Sequence, residues 1–329
     1  GGQDPASGQN LGDTWELDGE RWRETTPAGG GGPGPRSAAA LAYDERRQVV
    51  VLFGGIGVGV DRLDDTWEYD GDAWVLVDTL HRPAPQSVPG MVSDGTQLLL
   101  FPTQSSVLGD PPTLWAYDGN DWAPRTHAPG PPLDGFSTDL VFDRVREVIV
   151  LVVGAEAIAG EPSDTVATWE WSGEAWALVA AANPPAARTF HGLAFDELTG
   201  RTLLHGGMVL LDSTGLSFST ETWAYDGAAW QPVSREIQPP SGFYLLDYFA
   251  PLRSPVAFGV TGLEAEPASE TWLLAFTESA GFCGDGVKQT AEGCDGLDFG
   301  FLDCVLLGYG GGHLTCDASC VVQAEACVP

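Results

Sequence analysis

Short apolar runs separated by polar turns divide this chain, and four of them follow one another between residues 40 and 77. The four runs are residues 41–43, 49–53, 66–69 and 74–77. Each has the length and the apolar or aromatic content of a β-strand. A polar turn, Asp44-Glu45-Arg46-Arg47, lies between the first two runs, and the Asp70-Gly71 pair, a strong hairpin signal, lies between the last two. The pattern predicts four strands with two tight turns and one long loop.

The same pattern returns about every 50 residues, marked each time by a Thr-Trp or Leu-Trp step. The leading tryptophans are Trp15, Trp67, Trp115, Trp169, Trp223 and Trp272. The intervals between them are 52, 48, 54, 54 and 49 residues, and in five of the six copies a second tryptophan follows seven residues later. A period of this length is typical of the four-stranded blades of a propeller. We therefore expect an all-β repeat protein.

The second strand of each unit is apolar on both faces, as in residues 148–153, which suits a strand enclosed between neighbouring sheets. On the third strand two aromatic residues stand two positions apart and so share one face. These patterns predict that the tryptophans pack between sheets as core residues. Proline-rich joints, unsuited to central strands, place the unit boundaries near residues 36, 84, 132, 186 and 241.

An apolar strand, Gly-Gly, a long loop, an aromatic residue, Asp-Gly and a tryptophan follow in that order, as in VVVLFGG and DTWEYDGDAW. This order resembles the kelch repeat over residues 1 to about 278. The resemblance implies a kelch-type β-propeller, for which we expect six blades, with seven as the alternative. The N-terminal repeat looks truncated, because Gly1-Gly2 lies about as far before Asp13 as Gly54-Gly55 lies before Asp65. Either an upstream segment is missing, or strands from both ends close the propeller.

All six cysteines lie in the last 47 residues, and residues 1–282 contain none. They are Cys283, Cys294, Cys304, Cys316, Cys320 and Cys327. An even number of cysteines in a short segment with little apolar core is typical of a disulfide-stapled module, which indicates an oxidising compartment. Fifteen pairings remain open. A zinc site is the alternative, but no C-x-x-C pair is present.

This segment resembles the Cys-rich repeats of surface and secreted proteins of myxobacteria, through CGDG, GCDG and LGYGGG. The domains are therefore expected to be residues 1–278, the propeller, and residues 279–329, the Cys-rich module. Localisation is expected to be extracellular or at the bacterial cell surface. Asp285, Asp295 and Asp298 are candidate calcium ligands. The EF-hand spacing is absent, however, and the favoured interpretation is that these aspartates form turns. No other cofactor is indicated.

The net charge of −31, from 46 acidic and 15 basic residues, disfavours nucleic acids and anionic membrane surfaces as partners. No apolar run is long enough to span a membrane. Catalytic motifs such as G-x-S-x-G, H-E-x-x-H and the P-loop are absent, and copper oxidases of the kelch fold need a propeller cysteine that this chain lacks. The sequence thus favours a protein without catalytic activity.

The loops between second and third strands are long and varied, and we expect them on one face of the propeller together with the proline-rich joints. Variable loops on a rigid scaffold often bind partners. The candidate binding residues are Asp61, Arg62, Asp64, Asp110, Glu161, Asp164 and Asp212. We expect an exported binding or structural module for a protein or polysaccharide. The alternatives are an extracellular carbohydrate-active enzyme with a polar axial pocket, a subunit of a larger surface assembly, and solvated loop charges that bind nothing.

Overall fold

The computed structural model describes most of the first 274 residues and four short strands near the C-terminus. The described residues are 1–4, 7–18, 21–26, 31–59, 61–87, 89–102, 113–125, 131, 138–154, 164–211, 215–233, 242–249, 254–261, 268–274, 311–312, 315–316, 322–323 and 327–328. They form strands, turns and irregular segments, and no helix occurs among them. In these ranges there is accordingly no helix long and apolar enough to cross a membrane.

The first repeat contains only short strands, arranged as two separate antiparallel pairs. These strands are β1 (Gly2–Gln3), β2 (Asn10–Leu11), β3 (Trp15–Leu17) and β4 (Trp22–Glu24). β1 pairs with β2, and β3 pairs with β4. Within the described residues, the first repeat therefore supplies only the outer two strands of a four-stranded unit.

The next three repeats each form a four-stranded antiparallel sheet whose strands pair in chain order. In the second repeat they are β5 (Ala40–Asp44), β6 (Val49–Phe53), β7 (Thr66–Tyr69) and β8 (Trp74–Val77). In the third they are β9 (Gly90–Ser93), β10 (Leu98–Phe101), β11 (Leu114–Tyr117) and β12 (Trp122–Arg125). In the fourth they are β13 (Thr138–Asp143), β14 (Val148–Val153), β15 (Ala167–Trp171) and β16 (Trp176–Val179). The four strands predicted for the second repeat are thus confirmed.

The fifth repeat adds a small second sheet to the usual four strands. Its main sheet contains β18 (Gly192–Asp196), β19 (Arg201–His205), β22 (Thr222–Tyr225) and β23 (Trp230–Val233). The small sheet contains β17 (Arg188–Thr189), β20 (Met208–Leu211) and β21 (Gly215–Phe218). The sequence predicts only a long loop between the second and third strands here, whereas two apolar runs in that loop pair as the hairpin β20–β21.

The sixth repeat is a sheet of three described strands. They are β24 (Gly242–Phe249), β25 (Ser254–Thr261) and β26 (Ala268–Leu273). The short strands near the C-terminus are β27 (Gly311–Gly312), β28 (Thr315–Cys316), β29 (Val322–Gln323) and β30 (Cys327–Val328). β27 pairs with β30, and β28 pairs with β29.

The tight turn between the first and second strands is stabilised by an aspartate at the end of the first strand. In the second repeat the Asp44 carboxylate accepts hydrogen bonds from the backbone N–H and the Nε of Arg47, at 3.1 and 2.7 Å. In the fourth repeat Asp143 accepts the same two bonds from Arg146, at 2.9 and 2.7 Å. Such side-chain bonds satisfy turn N–H groups that have no strand partner. The same chemistry therefore specifies equivalent turns in different repeats.

Neighbouring sheets share apolar cores, so that each sheet is covered by the next. Phe53 of the second repeat packs with Leu100 and Trp122 of the third in one buried cluster. A second cluster joins the third and fourth repeats, and a third joins the fourth and fifth. The first strands of successive sheets also lie side by side, from β5 to β9, β13, β18 and β24. Repeated stacking of small sheets in this way makes a propeller-like all-β fold.

Indole hydrogen bonds also link the sheets in a repeated way. The tryptophan that begins a fourth strand donates its Nε1–H to the threonine at the third strand of the preceding repeat. The pairs are Trp74 with Thr14, Trp122 with Thr66 and Trp230 with Thr168, each at 2.9 Å. The same bond joins Trp22 of the first repeat to Thr271 of the sixth, at 2.7 Å.

Tyrosines at the ends of third strands bond to glutamates of the preceding repeat. The pairs are Tyr69 with Glu16, Tyr117 with Glu68 and Tyr225 with Glu170, at 2.7, 2.7 and 2.9 Å. Arg47 and Arg146 bond to two of these glutamates and lie over the next repeat's tyrosine ring. Each of these contacts is polar and spans two sheets, so the order of the sheets is specified by hydrogen bonds as well as by apolar packing.

The prediction that the tryptophans form the core is confirmed for most of them and wrong for Trp15. Trp122 and Trp230 are fully buried, and Trp171 and Trp176 are buried as well. The leading tryptophans of the second to fifth repeats are half-buried. Trp15 is 48% exposed. The difference follows from the first repeat, in which no described second strand lies beside it.

Candidate functional site

The candidate site is the face that carries the long loops between second and third strands. In the second repeat this loop leaves β6 through Gly54 and Gly55 and returns at Leu63, which pairs with Gln86 of the next joint. The start of the loop pairs with the preceding joint through Ile56 and Ser37. The loop base is thus held between two joints, which places loops and proline-rich joints together.

Close packing of this base requires glycine. Gly55 has φ of 99°, and a Cβ placed there would lie 2.8 Å from the carbonyl oxygen of Ser37. In the fifth repeat Gly207 has φ of 89°, and its Cβ would lie 3.0 Å from the carbonyl oxygen of Thr189. Only glycine adopts this conformation without strain and leaves room for the joint. The Gly-Gly step is therefore the element that lets loop and joint approach each other.

A buried arginine binds the loop base in the second repeat. The Arg36 guanidinium donates two hydrogen bonds to the Asp65 carboxylate, at 2.6 and 2.8 Å, and one to the carbonyl oxygen of Gly54, at 2.9 Å. The Trp67 indole donates to the same carboxylate at 2.7 Å. A bidentate pair of this kind is strong and geometrically specific. Both ends of the loop are therefore attached to one guanidinium.

The fifth repeat contains the same arrangement. Arg188 is fully buried and donates to the carbonyl oxygen of Gly206 at 3.0 Å and to Glu221 at 2.9 Å. The Trp223 indole donates to Glu221 at 3.1 Å. The equivalent joint residues Ala38 and Phe190 both have positive φ, 55° and 56°. We name these two arrangements, Arg36 with Asp65 and Arg188 with Glu221, the arginine clamps.

The clamps lower the pKa of both carboxyl groups. Partial burial by itself would raise the pKa of Asp65, but hydrogen bonds from Arg36 and Trp67 hold that pKa below its ordinary value. In Glu221 burial is likewise outweighed by hydrogen bonds from Arg188 and Trp223, which lower the pKa. Both carboxylates are ionised at neutral pH and engaged by their own chain. The two carboxylates therefore have a structural role.

The sequence-predicted binding residues occupy the outer part of this face. Asp61 and Arg62 are exposed, and Asp64 forms an ion pair with Arg82 at 3.8 Å. Asp164 is exposed, and its carbonyl oxygen accepts a hydrogen bond from Ala187 of the next joint at 2.9 Å. The first three share one loop, whereas Asp164 lies on the loop of the fourth repeat.

Most of the other predicted ligand and disulfide residues lie outside the described part of the chain. Asp110, Glu161 and Asp212 lie outside the described residues. So do the calcium candidates Asp285, Asp295 and Asp298, and the cysteines Cys283, Cys294, Cys304 and Cys320. Cys316 and Cys327 end or begin the short strands β28 and β30, of which only the backbone is described. Among the described residues, no group of three or more His, Cys, Asp or Glu side chains is placed to hold a metal ion.

The arginine clamps were not predicted from the sequence, although the sequence contains a repeated pattern that accompanies them. An acidic residue precedes the Thr-Trp step in Asp13, Asp65 and Glu221. An arginine, Arg36 or Arg188, lies five residues before the leucine of the first strand, Leu41 or Leu193. Neither spacing reveals by itself that arginine and acid meet across a loop, since they are 29 and 33 residues apart.

A second group of titratable residues lies on the first strands of the later repeats or directly before them. The Asp139 carboxylate on β13 accepts a hydrogen bond from the Leu193 N–H of β18, at 2.8 Å. Burial raises the pKa of Asp139 to about 7, and the negative charge of Asp247 on β24 adds to the increase. Burial and the charge of Arg188 lower the pKa of His191 to about 3. Asp139 can therefore hold a proton near neutral pH, while His191 is uncharged.

Comparisons with known proteins bear on the fold. No family model and no curated protein matches the chain. Among solved structures, the chain is similar to the one titled "Structure of YjhT", with a TM-score of 0.57 and 14% sequence identity. The similarity covers 79% of this chain and 88% of that one. At this identity it concerns the fold alone, and it agrees with a propeller-like arrangement of small antiparallel sheets.

Proposed function

We propose that this protein is a non-catalytic binding module that presents its long-loop face to a protein or polysaccharide partner outside the cell. The observation that carries the proposal is the pair of arginine clamps, which hold the bases of two long loops on a rigid scaffold. Loops with fixed bases and exposed charges, such as Asp61 and Arg62 on the clamped loop of the second repeat, suit recognition because little order is lost on binding.

The proposed scaffold is a six-bladed propeller of the kelch type. Six tryptophan-marked repeats and four complete four-stranded sheets that stack on one another support it. The 2.7 Å hydrogen bond between Trp22 and Thr271 argues against a seventh blade, because it leaves no room for a further sheet between the first and the last repeats. Sheets in contact all the way around form a closed ring.

Residues 279–329 are proposed to be a disulfide-stapled module that acts as a spacer or attachment element of an exported protein. The support is the crowding of all six cysteines into this segment. Alkylation of the unfolded protein followed by mass spectrometry should detect no free thiol before reduction and six after it. Free thiols in protein isolated from its native compartment would contradict both the disulfides and export.

The binding proposal is tested by changing the charges on one face only. A variant with Asp61→Asn, Asp64→Asn and Asp164→Asn should lose at least tenfold in affinity for its partner on an array of surface polysaccharides and envelope proteins. The matched control changes Asp72→Asn and Glu174→Gln, which lie in turns between third and fourth strands at the opposite end of the sheets. Equal loss in both variants, or no loss in the first, would overturn the proposal.

One observation favours the enzyme alternative, namely the raised pKa of Asp139 on a first strand of the scaffold. A carboxyl group that is protonated near pH 7 can serve as a general acid, and a carbohydrate-active enzyme needs one. The array of surface polysaccharides and envelope proteins also distinguishes the enzyme from the binding module. Release of new reducing ends from a polysaccharide, abolished by Asp139→Asn, would establish the enzyme and displace the binding module.

A further inference from the structure

In the third repeat a glutamine occupies the position of the clamp arginine. Arg36 and Arg188 each stand five residues before the leucine of a first strand. In the third repeat the residue five positions before Met91, which takes the place of that leucine, is Gln86. The position that supplies a guanidinium in two other repeats therefore carries a neutral amide here.

The backbone of Gln86 is held in the same way as that of Arg36. The Gln86 N–H donates to the carbonyl oxygen of Leu63 at 3.1 Å, and the Arg36 N–H donates to that of Leu11 at 3.1 Å. The Gln86 carbonyl oxygen accepts a hydrogen bond from the N–H of Gly55 at 2.9 Å, and the Arg36 carbonyl oxygen accepts one from the glycine step of the first repeat at 2.8 Å. The two side chains thus start from equivalent places at the base of a long loop.

The acidic partner of the clamp is replaced as well. Thr113 stands two residues before Trp115, where Asp65 stands two residues before Trp67. Thr113 is exposed, and its hydroxyl group carries no charge. Both members of the clamp are therefore exchanged for neutral residues in the third repeat.

The exchange leaves a buried hydrogen-bond acceptor. Gln86 is 8% exposed, and within the described ranges no donor lies within hydrogen-bond distance of its buried Oε1 atom. A buried acceptor without a donor lowers stability. Arg82, in the same joint, is directed elsewhere, since it pairs with Asp64 at 3.8 Å and with Asp78 at 4.0 Å. The amide oxygen thus marks a place where a donor is missing.

The missing donor has the size and charge of a guanidinium group. Glutamine lacks the terminal guanidinium of arginine, so Gln86 does not itself reach the place that this group takes in the clamps. Residues 103–112, which lie outside the described structure, contain neither arginine nor lysine. The net charge of −31 attracts cations from solution to this chain.

We propose that the place between Gln86 and Thr113, which we name the acceptor site, binds the guanidinium group of an arginine side chain from a protein partner. The inference deepens the proposed function and rests on it, because the site lies at the base of a long loop on the proposed binding face. The Gln86 Oε1 atom accepts one N–H of the guanidinium, and the Thr113 hydroxyl accepts another. Hydrogen bonds from a cation are stronger than those between neutral groups. The site therefore favours a basic protein over a polysaccharide.

The test is a titration of the full chain with N-acetyl-arginine methylamide, followed by NMR of the Gln86 side-chain amide. The signal is assigned from its absence in a Gln86→Met variant. We expect a saturable shift of this signal with the arginine compound. N-acetyl-citrulline methylamide, which has nearly the same shape and no charge, should bind about tenfold more weakly.

The first variant adds a charge to the acceptor. Gln86→Glu should tighten binding of the arginine compound about tenfold, because the acceptor becomes a carboxylate that the guanidinium can pair with. Gln97→Glu is the matched control. It adds the same charge in the third repeat, in the tight turn at the opposite end of the sheet, where Gln97 accepts a hydrogen bond from Arg125 at 2.8 Å. It should change the affinity about twofold or less.

The second variant fills the site from within. Combined Gln86→Arg and Thr113→Asp substitutions restore both members of the clamp, so the chain's own guanidinium should exclude the compound and abolish the titration. The same variant should unfold at a higher urea concentration than the unchanged protein. Unchanged binding in this variant would show that the compound binds elsewhere.

Three results overturn the proposal. They are a Gln86 signal that does not respond to the arginine compound, equal affinity for the arginine and citrulline compounds, and a Gln86→Glu variant that is more stable without any compound. The second result would mean that a neutral donor, such as a sugar hydroxyl, is sufficient. The third would mean that a cationic side chain of this chain already fills the site.

The titration and the partner-binding test fail independently. No response to the arginine compound, together with loss of partner binding in the variant of Asp61, Asp64 and Asp164, would leave the proposed function standing without the acceptor site. A specific response at Gln86 in a protein that binds nothing on the array would leave the acceptor site standing and remove the proposed function.

Discussion

The indole of Trp22 donates a hydrogen bond to the hydroxyl of Thr271, 249 residues further along the chain. Elsewhere the same bond joins a repeat to the one immediately before it, as from Trp122 to Thr66. The first repeat is therefore related to the sixth as each repeat is related to its predecessor. This contact joins the two ends of the repeat array, and it therefore supports the proposed ring arrangement.

The buried and exposed copies of the indole bond should differ in energy. Thr66→Val leaves the buried Trp122 N–H without an acceptor, and we expect it to lower the free energy of unfolding by about 1–2 kcal/mol. Thr271→Val should cost less than about 0.5 kcal/mol, because water can reach the exposed Trp22 N–H. Urea denaturation of both variants measures the difference, and equal losses would contradict the assignment of burial.

The arginine clamp should contribute strongly to stability. Arg36→Met leaves the Asp65 carboxylate and the Gly54 carbonyl without their shared donor in a largely buried place, with an expected loss of about 3 kcal/mol. Arg21→Met is the control, because Arg21 is exposed and its ion pair with Asp18 is long, at 3.9 Å, so its loss should cost about 0.5 kcal/mol or less. A similar loss in both would show that the clamp is not a buried bidentate pair.

The Gly-Gly step should tolerate no side chain. Gly55→Ala combines a positive φ with a Cβ that meets the Ser37 carbonyl oxygen, and we expect a loss of about 3 kcal/mol. Gly71→Ala is matched in φ, at 95° against 99°, but its Cβ would meet nothing within 4 Å. It should cost about 1 kcal/mol. Thermal denaturation that ranks the two alike would contradict the close approach of loop and joint.

Asp139 should make stability depend on pH. Its pKa of about 7 in the folded protein exceeds the ordinary value of 3.8, so the folded state keeps a proton that the unfolded state has released. The free energy of unfolding should fall as the pH rises from about 4 to about 7, by at most about 1.4 kcal/mol per pH unit. Asp139→Asn should remove this part of the slope.

The control for that measurement is Asp247→Asn. The negative charge of Asp247 contributes to the raised pKa of Asp139, after burial, so its removal should lower that pKa without abolishing the transition. Carbon-13 NMR titration of the aspartate carboxyl groups measures the pKa of Asp139 in the unchanged protein and in the Asp247→Asn variant. A titration of Asp139 near its ordinary value would show that the carboxyl is well hydrated.

Much of the fold follows from local patterns. The apolar runs, the Asp-Gly turns and the period of the tryptophans predict the strands of the second repeat almost residue by residue, because strand length, alternation and turn chemistry are local properties. The hairpin β20–β21 was missed for a related reason. Its apolar residues 208–211 and 215–218 lie inside a segment that the repeat pattern assigns to a loop.

Composition and periodicity are enough to establish the class of this protein: an all-β array of six tryptophan-marked units, strongly acidic, with its cysteines confined to the C-terminal segment. Which distant side chains meet depends on the three-dimensional arrangement of the sheets. Arg36 with Asp65, Trp22 with Thr271, and the exposed Leu41 against the buried Leu193 depend on how whole sheets stack. Leu41 and Tyr43 of the run LAYD are exposed and Leu193 and Phe195 of the similar run LAFD are buried, because different residues pack beside them in the stack of sheets.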